Sequence, residues 1–192
     1  MITAIDYTIL HWIQSIRTPF WDAVFSHAFP NMAHLAALWI VICLVLIFTG
    51  KKNRIIGIKA LTALVMGTIL FTLITKNIVC RQRPFRQGAA ILDAASLLIP
   101  PPGDVYSFPS GHSVSSFAVA FSIFLHKKIS GSICLVIAAV VAFSRMYLYV
   151  HFPSDVLFGT IFGILCAIAS DRLIDSVIRK HAKKKPELCF PI

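Results

Sequence analysis

Residues 129–155, ISGSICLVIAAVVAFSRMYLYVHFPSD, decide the fold. The apolar run 129–148 can cross a hydrocarbon core of about 30 Å at about 1.5 Å per residue, and lipid leaves its backbone no partner outside its own helix. Arg145 interrupts the run near its end, and His151, Ser154 and Asp155 follow as the next apolar run, 154–174, begins. The pattern is a membrane helix, a short polar turn and a second membrane helix, with ionisable groups gathered at one face. Such groups at membrane depth are costly and more often functional than structural.

Outward from this stretch, the runs 33–49, 55–75 and 113–125 bring the apolar segments to five. The run 113–125 is short, and becomes adequate if Ser110 to His112 form its first turn at or just below the interface. The expected fold class is all-α: a polytopic membrane helical bundle of five transmembrane helices plus an N-terminal interfacial or weakly spanning segment. The 192 residues allow one domain, and 57% hydrophobic with 14% charged residues excludes an ordinary soluble protein. A formal charge of +10 would suit nucleic acid, but the basic residues lie in short clusters at segment ends rather than on a polar face. Charge that orients helices in a bilayer is the better reading, and no nucleic-acid partner is expected. Cys43, Cys134 and Cys166 lie in apolar runs, Cys189 in the tail and Cys80 near the basic residues; no pair has metal-ligand or redox spacing.

Residues 1–30 mix Ile5, Ile9, Leu10, Trp12 and Ile13 with Asp6, His11, Gln14 and Arg17, and are broken by Pro19 and Pro30. They read as an amphipathic interfacial helix followed by a partly inserted segment carrying Trp21 and Phe25. They lack the basic start and unbroken apolar core of a cleavable signal peptide, so the first apolar helix is expected to direct insertion. Residues 31–178 form the membrane domain and 179–192 a basic cytoplasmic tail. No internal repeat is visible, and the loop 85–108, with Pro100-Pro101-Pro102-Gly103, is expected to be irregular. Five helices place Lys51, Lys52 and Arg54, then Lys127 and Lys128, then the tail cations from Arg179 to Lys185 on one side. By the positive-inside rule that side is cytoplasmic, which leaves Lys76, Arg81, Arg83, Arg86 and Arg145 on the outer side, where topology alone would not put them.

A multiply charged anion would give those cations a use. Arginine offers a planar fork and lysine a point charge, and a phosphate dianion needs several fixed donors. If the second helix continues to Pro84, Lys76 and Arg83 lie two turns apart on one face; interfacial anchoring to lipid headgroups would also account for them. Pro109-Ser110-Gly111-His112 reads as a helix start whose free N–H groups would point at phosphate oxygens, with Gly111 allowing close approach and Ser110 adding a hydroxyl. His112 has the plainer alternative of a hydrogen bond to a neighbouring carbonyl. His151 and Asp155 are four apart around a helix start, so Asp155 can accept Nδ1–H and leave Nε2 aimed at a bound phosphorus. A buried stapling pair is the alternative there, but it would not explain the cations and the Ser-Gly-His turn on the same face.

These three stretches, in order from Lys76 to Asp155, resemble the signature motifs of the type-2 phosphatidic acid phosphatase superfamily, which includes lipid phosphatases, bacterial non-specific acid phosphatases and vanadium haloperoxidases. The resemblance implies that Lys76, Arg83, Ser110, Gly111 and Arg145 hold phosphate, that His151 attacks it, that Asp155 orients His151, and that His112 protonates the leaving oxygen. It implies no metal and no cofactor, in keeping with the scattered acids of this chain. Membrane members usually have six transmembrane helices, so residues 1–30 are either interfacial or a weak sixth span. The implied activity is a membrane lipid phosphatase working through a phosphohistidine on an amphiphilic lipid phosphate. The short chain, the outward site and Leu97-Leu98-Ile99-Pro100 resemble undecaprenyl diphosphate phosphatases most. Phosphatidic acid and phosphatidylglycerol phosphate are the alternative substrates, and a lipid phosphotransferase would use the same residues.

Overall fold

The computed structural model describes residues 2–28, 32–87 and 96–184. Residues 29–31, loop residues 88–95 and tail residues 185–192, with Cys189, lie outside the described residues. In chain order the helices are α1 (Ile2–Ser15), α2 (Pro19–Ala28), α3 (Met32–Phe48), α4 (Lys51–Val79), α5 (Gly111–His126), α6 (Lys128–Tyr147) and α7 (Pro153–Lys184). No strand occurs among the described residues, so the all-α expectation holds.

Three of the five apolar runs become helices long and apolar enough to cross a membrane: Lys51–Val79, Lys128–Tyr147 and Pro153–Lys183. α3, Met32–Phe48, has 17 residues and α5 has 16. The sequence expectation of five spans is therefore matched in length by three. The reason at α5 is its position, for it packs against α3, α4, α6 and α7. A helix wrapped by protein can carry the buried Ser113 and Ser116, which bond to Ser110 and Trp39. Around it, α4, α6 and α7 turn Leu70, Leu73, Val136, Leu157 and Leu165 outward.

Small residues set how closely α5 and α7 approach. A Cβ at Gly159 would stand 2.8 Å from the Ser110 carbonyl oxygen, and one at Gly163 2.6 Å from that of Val114. Any larger residue would push α7 off the first turns of α5, where His112 sits. On the other side of α5, Trp39 of α3 is fully buried and donates its indole N–H to Ser116 Oγ at 2.8 Å. This anchors a core of Trp39, Cys43, Ile56, Ala60, Leu64, Val119 and Ile123.

A second core lies at the opposite end and includes the N-terminal segment. Leu10, Ile13 and Phe25 are buried against Phe85, Ile99, Tyr147, Leu148, Tyr149, Val150 and Phe152. The inner face of α1 carries Asp6, 2% exposed, beside Leu10 and Ile13, while Ile5, Ile9 and Trp12 point outward. Gln14 and Arg17 fasten this segment further: Gln14 donates to the Tyr147 carbonyl at 3.1 Å, and Arg17 grips Asp22 with two bonds of 3.0 Å.

Candidate active site

All three sequence stretches meet at this second end. α4 stops at Val79, where Cys80 turns the chain through a left-handed conformation with φ 51°. The sequence reading had this helix running to Pro84 with Lys76 and Arg83 along one face; Arg83 instead is extended, with φ −71° and ψ 155°. Backbone pairing explains the early stop. Ser107 N–H donates to the Arg81 carbonyl at 2.7 Å and Gln82 bridges to Tyr106, so the loop before α5 captures groups that a further helical turn would have used. Pro84 opens a short 3-10 turn, Pro84–Arg86, rather than ending α4.

Lys76 and Arg83 nevertheless converge, on Asp104. Arg83 Nη2 donates to Asp104 Oδ1 at 2.6 Å and Nε to its carbonyl at 3.0 Å, while Lys76 Nζ pairs with Oδ2. Burial raises the pKa of Asp104, but the bond from Lys76 and the charges of Arg83 and Lys76 more than offset this and leave it below the usual value. Arg83, with no exposed surface, also donates Nη1 to the Val150 carbonyl at 2.7 Å and lies 3.3 Å from His151 Nε2.

That contact fixes the imidazole tautomer. A guanidinium can only donate, so Nε2 accepts and the proton sits on Nδ1. Nδ1 lies 3.6 Å from Asp155 Oδ2, beyond hydrogen-bond length, so the expected Nδ1–H to Asp155 bond is a close contact in this state. The carboxylate is held by others: Oδ2 accepts the Phe152 N–H at 2.9 Å and Oδ1 accepts Arg81 Nη1 at 2.7 Å. Burial, reinforced by the charges of Arg83, Lys76 and Arg145, pushes the pKa of His151 well below its ordinary value, so the ring is neutral at pH 7. Arg145, in the last turn of α6, donates Nε to Ser144 Oγ at 3.0 Å, and its carbonyl accepts the N–H groups of Val150 and His151 at 3.1 and 3.3 Å. The turn that carries His151 is thus built on Arg145.

Ser110 caps α5, its hydroxyl accepting the Ser113 N–H at 3.5 Å and the Ser113 hydroxyl at 3.1 Å. Its own N–H, which the sequence reading left open for a ligand, donates to the Asp155 carbonyl at 3.0 Å and so ties the second stretch to the third. Gly111 has a packing reason as well, because a Cβ there would stand 3.0 Å from Thr72 Cγ2 on α4. His112 is buried, and neither ring nitrogen has a hydrogen-bond partner among the described residues. It lines a cavity of about 180 Å³ with Thr68, Thr72, Lys76, Asp104, Gly111 and Ser115. Along this wall α4 widens into a π-helix over Thr68–Thr75, a distortion frequent at functional sites.

Every residue expected from the sequence therefore lies in or beside one cluster. Three further residues join it that the motifs did not single out: Asp104, on the cations, Arg81, on Asp155, and Asp6, on Arg81. Arg81 had a signal in its place two residues before Arg83. Asp6 had only the oddity of an acid in an apolar helix. Among the described residues no three His, Cys, Asp or Glu side chains are grouped for a metal ion.

The chain is similar to known proteins. The chain is 38% identical over 117 residues to a protein of Bacillus licheniformis named bacitracin transport permease protein BcrC, covering 61% of this chain and 55% of that one. It is 34% identical over 128 residues to an undecaprenyl-diphosphatase of Sulfolobus acidocaldarius, covering 66% and 58%. The chain thus spans little more than half the length of these two relatives. The crystal structure of a PAP2-type phosphatidylglycerolphosphate phosphatase from Bacillus subtilis superposes with a TM-score of 0.69 at 25% identity, covering 92% of this chain and 87% of that one. The sequence profile of the PAP2 superfamily matches residues 56–178, which hold all three clustered stretches, and the chain belongs to that superfamily.

Proposed function

We propose that the protein is a membrane lipid phosphatase that hydrolyses a lipid phosphate or diphosphate through a phosphohistidine, with undecaprenyl diphosphate as substrate and undecaprenyl phosphate as product. The observation that carries the reading is the meeting of neutral His151 with Lys76, Arg83, Arg145 and His112 at one buried end, next to a cavity between α4 and α5. The phosphoryl oxygens displace the Asp104 carboxylate from Lys76 and Arg83, and these cations, with Arg145, neutralise the charge that builds up in transfer. His151 Nε2 bonds to phosphorus as the bond to the leaving oxygen breaks, and His112 gives that oxygen its proton. Water then attacks phosphorus, His112 takes the water's proton, and the N–P bond breaks to release inorganic phosphate. No step calls for a metal ion, since fixed cations supply the charge.

The undecaprenyl-diphosphatase relative supports the choice of lipid, and the phosphatidylglycerolphosphate phosphatase structure supports phosphatidylglycerol phosphate as the second candidate. A transport reading, taken from the name of the Bacillus licheniformis relative, would leave the His151–Asp155 pair and its cations unexplained. Lys51, Lys52, Lys127 and Lys128 stand at the bundle end opposite the site, so the positive-inside rule turns the site outward and the tail toward the cytoplasm. Release of inorganic phosphate from undecaprenyl diphosphate, phosphatidic acid and phosphatidylglycerol phosphate in detergent tests the substrate, with the undecaprenyl lipid expected to turn over fastest. A phosphorylated second lipid appearing only when an acceptor is added would convert the assignment to a phosphotransferase. Cysteines at Gln87 or Asp104 in a background lacking native cysteines should react with an impermeant thiol reagent on intact cells, and one at Asn53 should not. The reverse pattern would turn the site inward.

A further inference from the structure

We infer that Arg81 and Asp6 are positioning residues for the His151–Asp155 pair, which makes the N-terminal helix α1 part of the reaction machinery. The inference rests on the proposed role of His151 as nucleophile. Arg81 belongs to the same basic stretch as Lys76 and Arg83, yet it does not line the cavity beside His112. Its Nη1 donates to Asp155 Oδ1 at 2.7 Å and Ser154 Oγ at 2.6 Å, and its Nη2 to Asp6 Oδ2 at 2.6 Å. The guanidinium lies 4.0 Å over the ring of Phe152, the residue whose N–H holds the other Asp155 oxygen. Asp6 completes the frame: Oδ1 accepts the Ser154 N–H at 2.9 Å and Oδ2 the Ser154 hydroxyl at 2.6 Å.

One fork thus spans two buried carboxylates, one from α1 and one from the first turn of α7. A planar guanidinium fixes both their separation and their orientation, which a lysine ammonium cannot do. Asp155 is fully buried, and its contact with His151 Nδ1 is already at 3.6 Å. A carboxylate free to rotate would let the imidazole drift, and misplacement by about 1 Å costs on the order of 10²-fold in rate. Asp6 is otherwise hard to explain, because α1 could dock through Leu10 and Ile13 alone, while a buried carboxylate is costly without partners.

Full-length Arg81→Ala, Arg81→Lys and Asp6→Asn are compared with the unmodified protein on the fastest lipid of the panel above, with inorganic phosphate as competitive inhibitor. Arg81→Ala should lower kcat by about 10²-fold and leave KM and the phosphate inhibition constant within about threefold. Added guanidinium ion should restore part of that loss. Asp6→Asn should lower kcat by about tenfold, and the double variant should be no slower than Arg81→Ala alone, since the two act through one carboxylate. Unchanged kcat, a rise in KM with kcat kept, or a loss that guanidinium does not restore would overturn the inference. If Arg81→Ala does not fold, Arg81→Lys decides, because it keeps the charge and loses the fork: full kcat there has the same meaning. His151→Ala is run alongside. Its retaining turnover sinks the nucleophile reading itself, whereas an inactive His151→Ala beside a fully active Arg81→Ala sinks this inference alone.

Discussion

Where α4 begins, Lys59 lies between Asp171 at 2.8 Å and Asp175 at 2.7 Å, and His126 reaches the same Asp171 oxygen at 2.7 Å. Near the other end of α4, Lys76, Arg81, Arg83 and Arg145 gather with Asp6, Asp104 and Asp155. Both ends bury cations under apolar helices, but the partners of those cations differ. The Lys59 end sets two carboxylates around one amine, and its histidine has a partner. At the other end Lys76 and Arg83 share Asp104, Arg81 spans Asp6 and Asp155, and His112 has no hydrogen-bond partner among the described residues. A closed cluster with carboxylate to spare is a clamp, joining α4, α5 and α7. An open one, with several cations around an unpartnered imidazole, suits a multiply charged anion.

The sharpest break in this comparison would come from His151→Ala, which should remove about 10⁴-fold or more of turnover because the proposed covalent intermediate forms on its Nε2. Acid-labile labelling from a phosphate-labelled substrate should vanish with it; more than a few per cent residual activity would place the nucleophile elsewhere. Asp155→Asn comes next, at roughly 10²–10⁴-fold in kcat with substrate binding little changed, since the imidazole loses its orienting carboxylate. A nearly silent Asp155→Asn at neutral pH would make that pair a staple like Lys59.

The depressed pKa of His151 sets a smaller, pH-dependent effect. The folded ring stays neutral below the unfolded value of about 6.5, so activity should persist through that pH and fall only as the lower folded value is crossed. Between the two values the unfolded state binds the extra proton, so stability falls as pH is lowered and recovers as it is raised. A pH–rate profile whose acid limb lies at or above about 6.5 would contradict the assignment. At the opposite end, Lys59→Ala should cost about 1–3 kcal/mol in unfolding free energy by stranding Asp171 and Asp175, and leave kcat within about threefold. Thermal unfolding in detergent beside a turnover assay separates the two, and a catalytic loss without destabilisation would show that the ends are coupled. Excess chelator should change turnover least of all; loss restored by a divalent ion would end the metal-free mechanism.

What the sequence by itself determined here is what chain-local chemistry controls. Apolar runs such as 129–148 specify helices because lipid gives the backbone no alternative, and the cap at Ser110 follows from a short polar side chain ahead of an apolar run. The order of the motifs was legible for the same reason, each being a spacing within one stretch. Tertiary structure decided whatever depends on a partner distant in the chain. α4 gives way at Cys80 because Tyr106 and Ser107 pair with the backbone of Arg81 and Gln82 that a further turn would have used. α5 carries its serines because other helices surround it rather than lipid. Asp155 takes Arg81 and the Phe152 N–H in place of a direct bond to His151 because α1 brings Asp6 to the far side of the same guanidinium. A buried charge must find its counter-charge wherever packing delivers one, and no spacing along the chain records which one that will be.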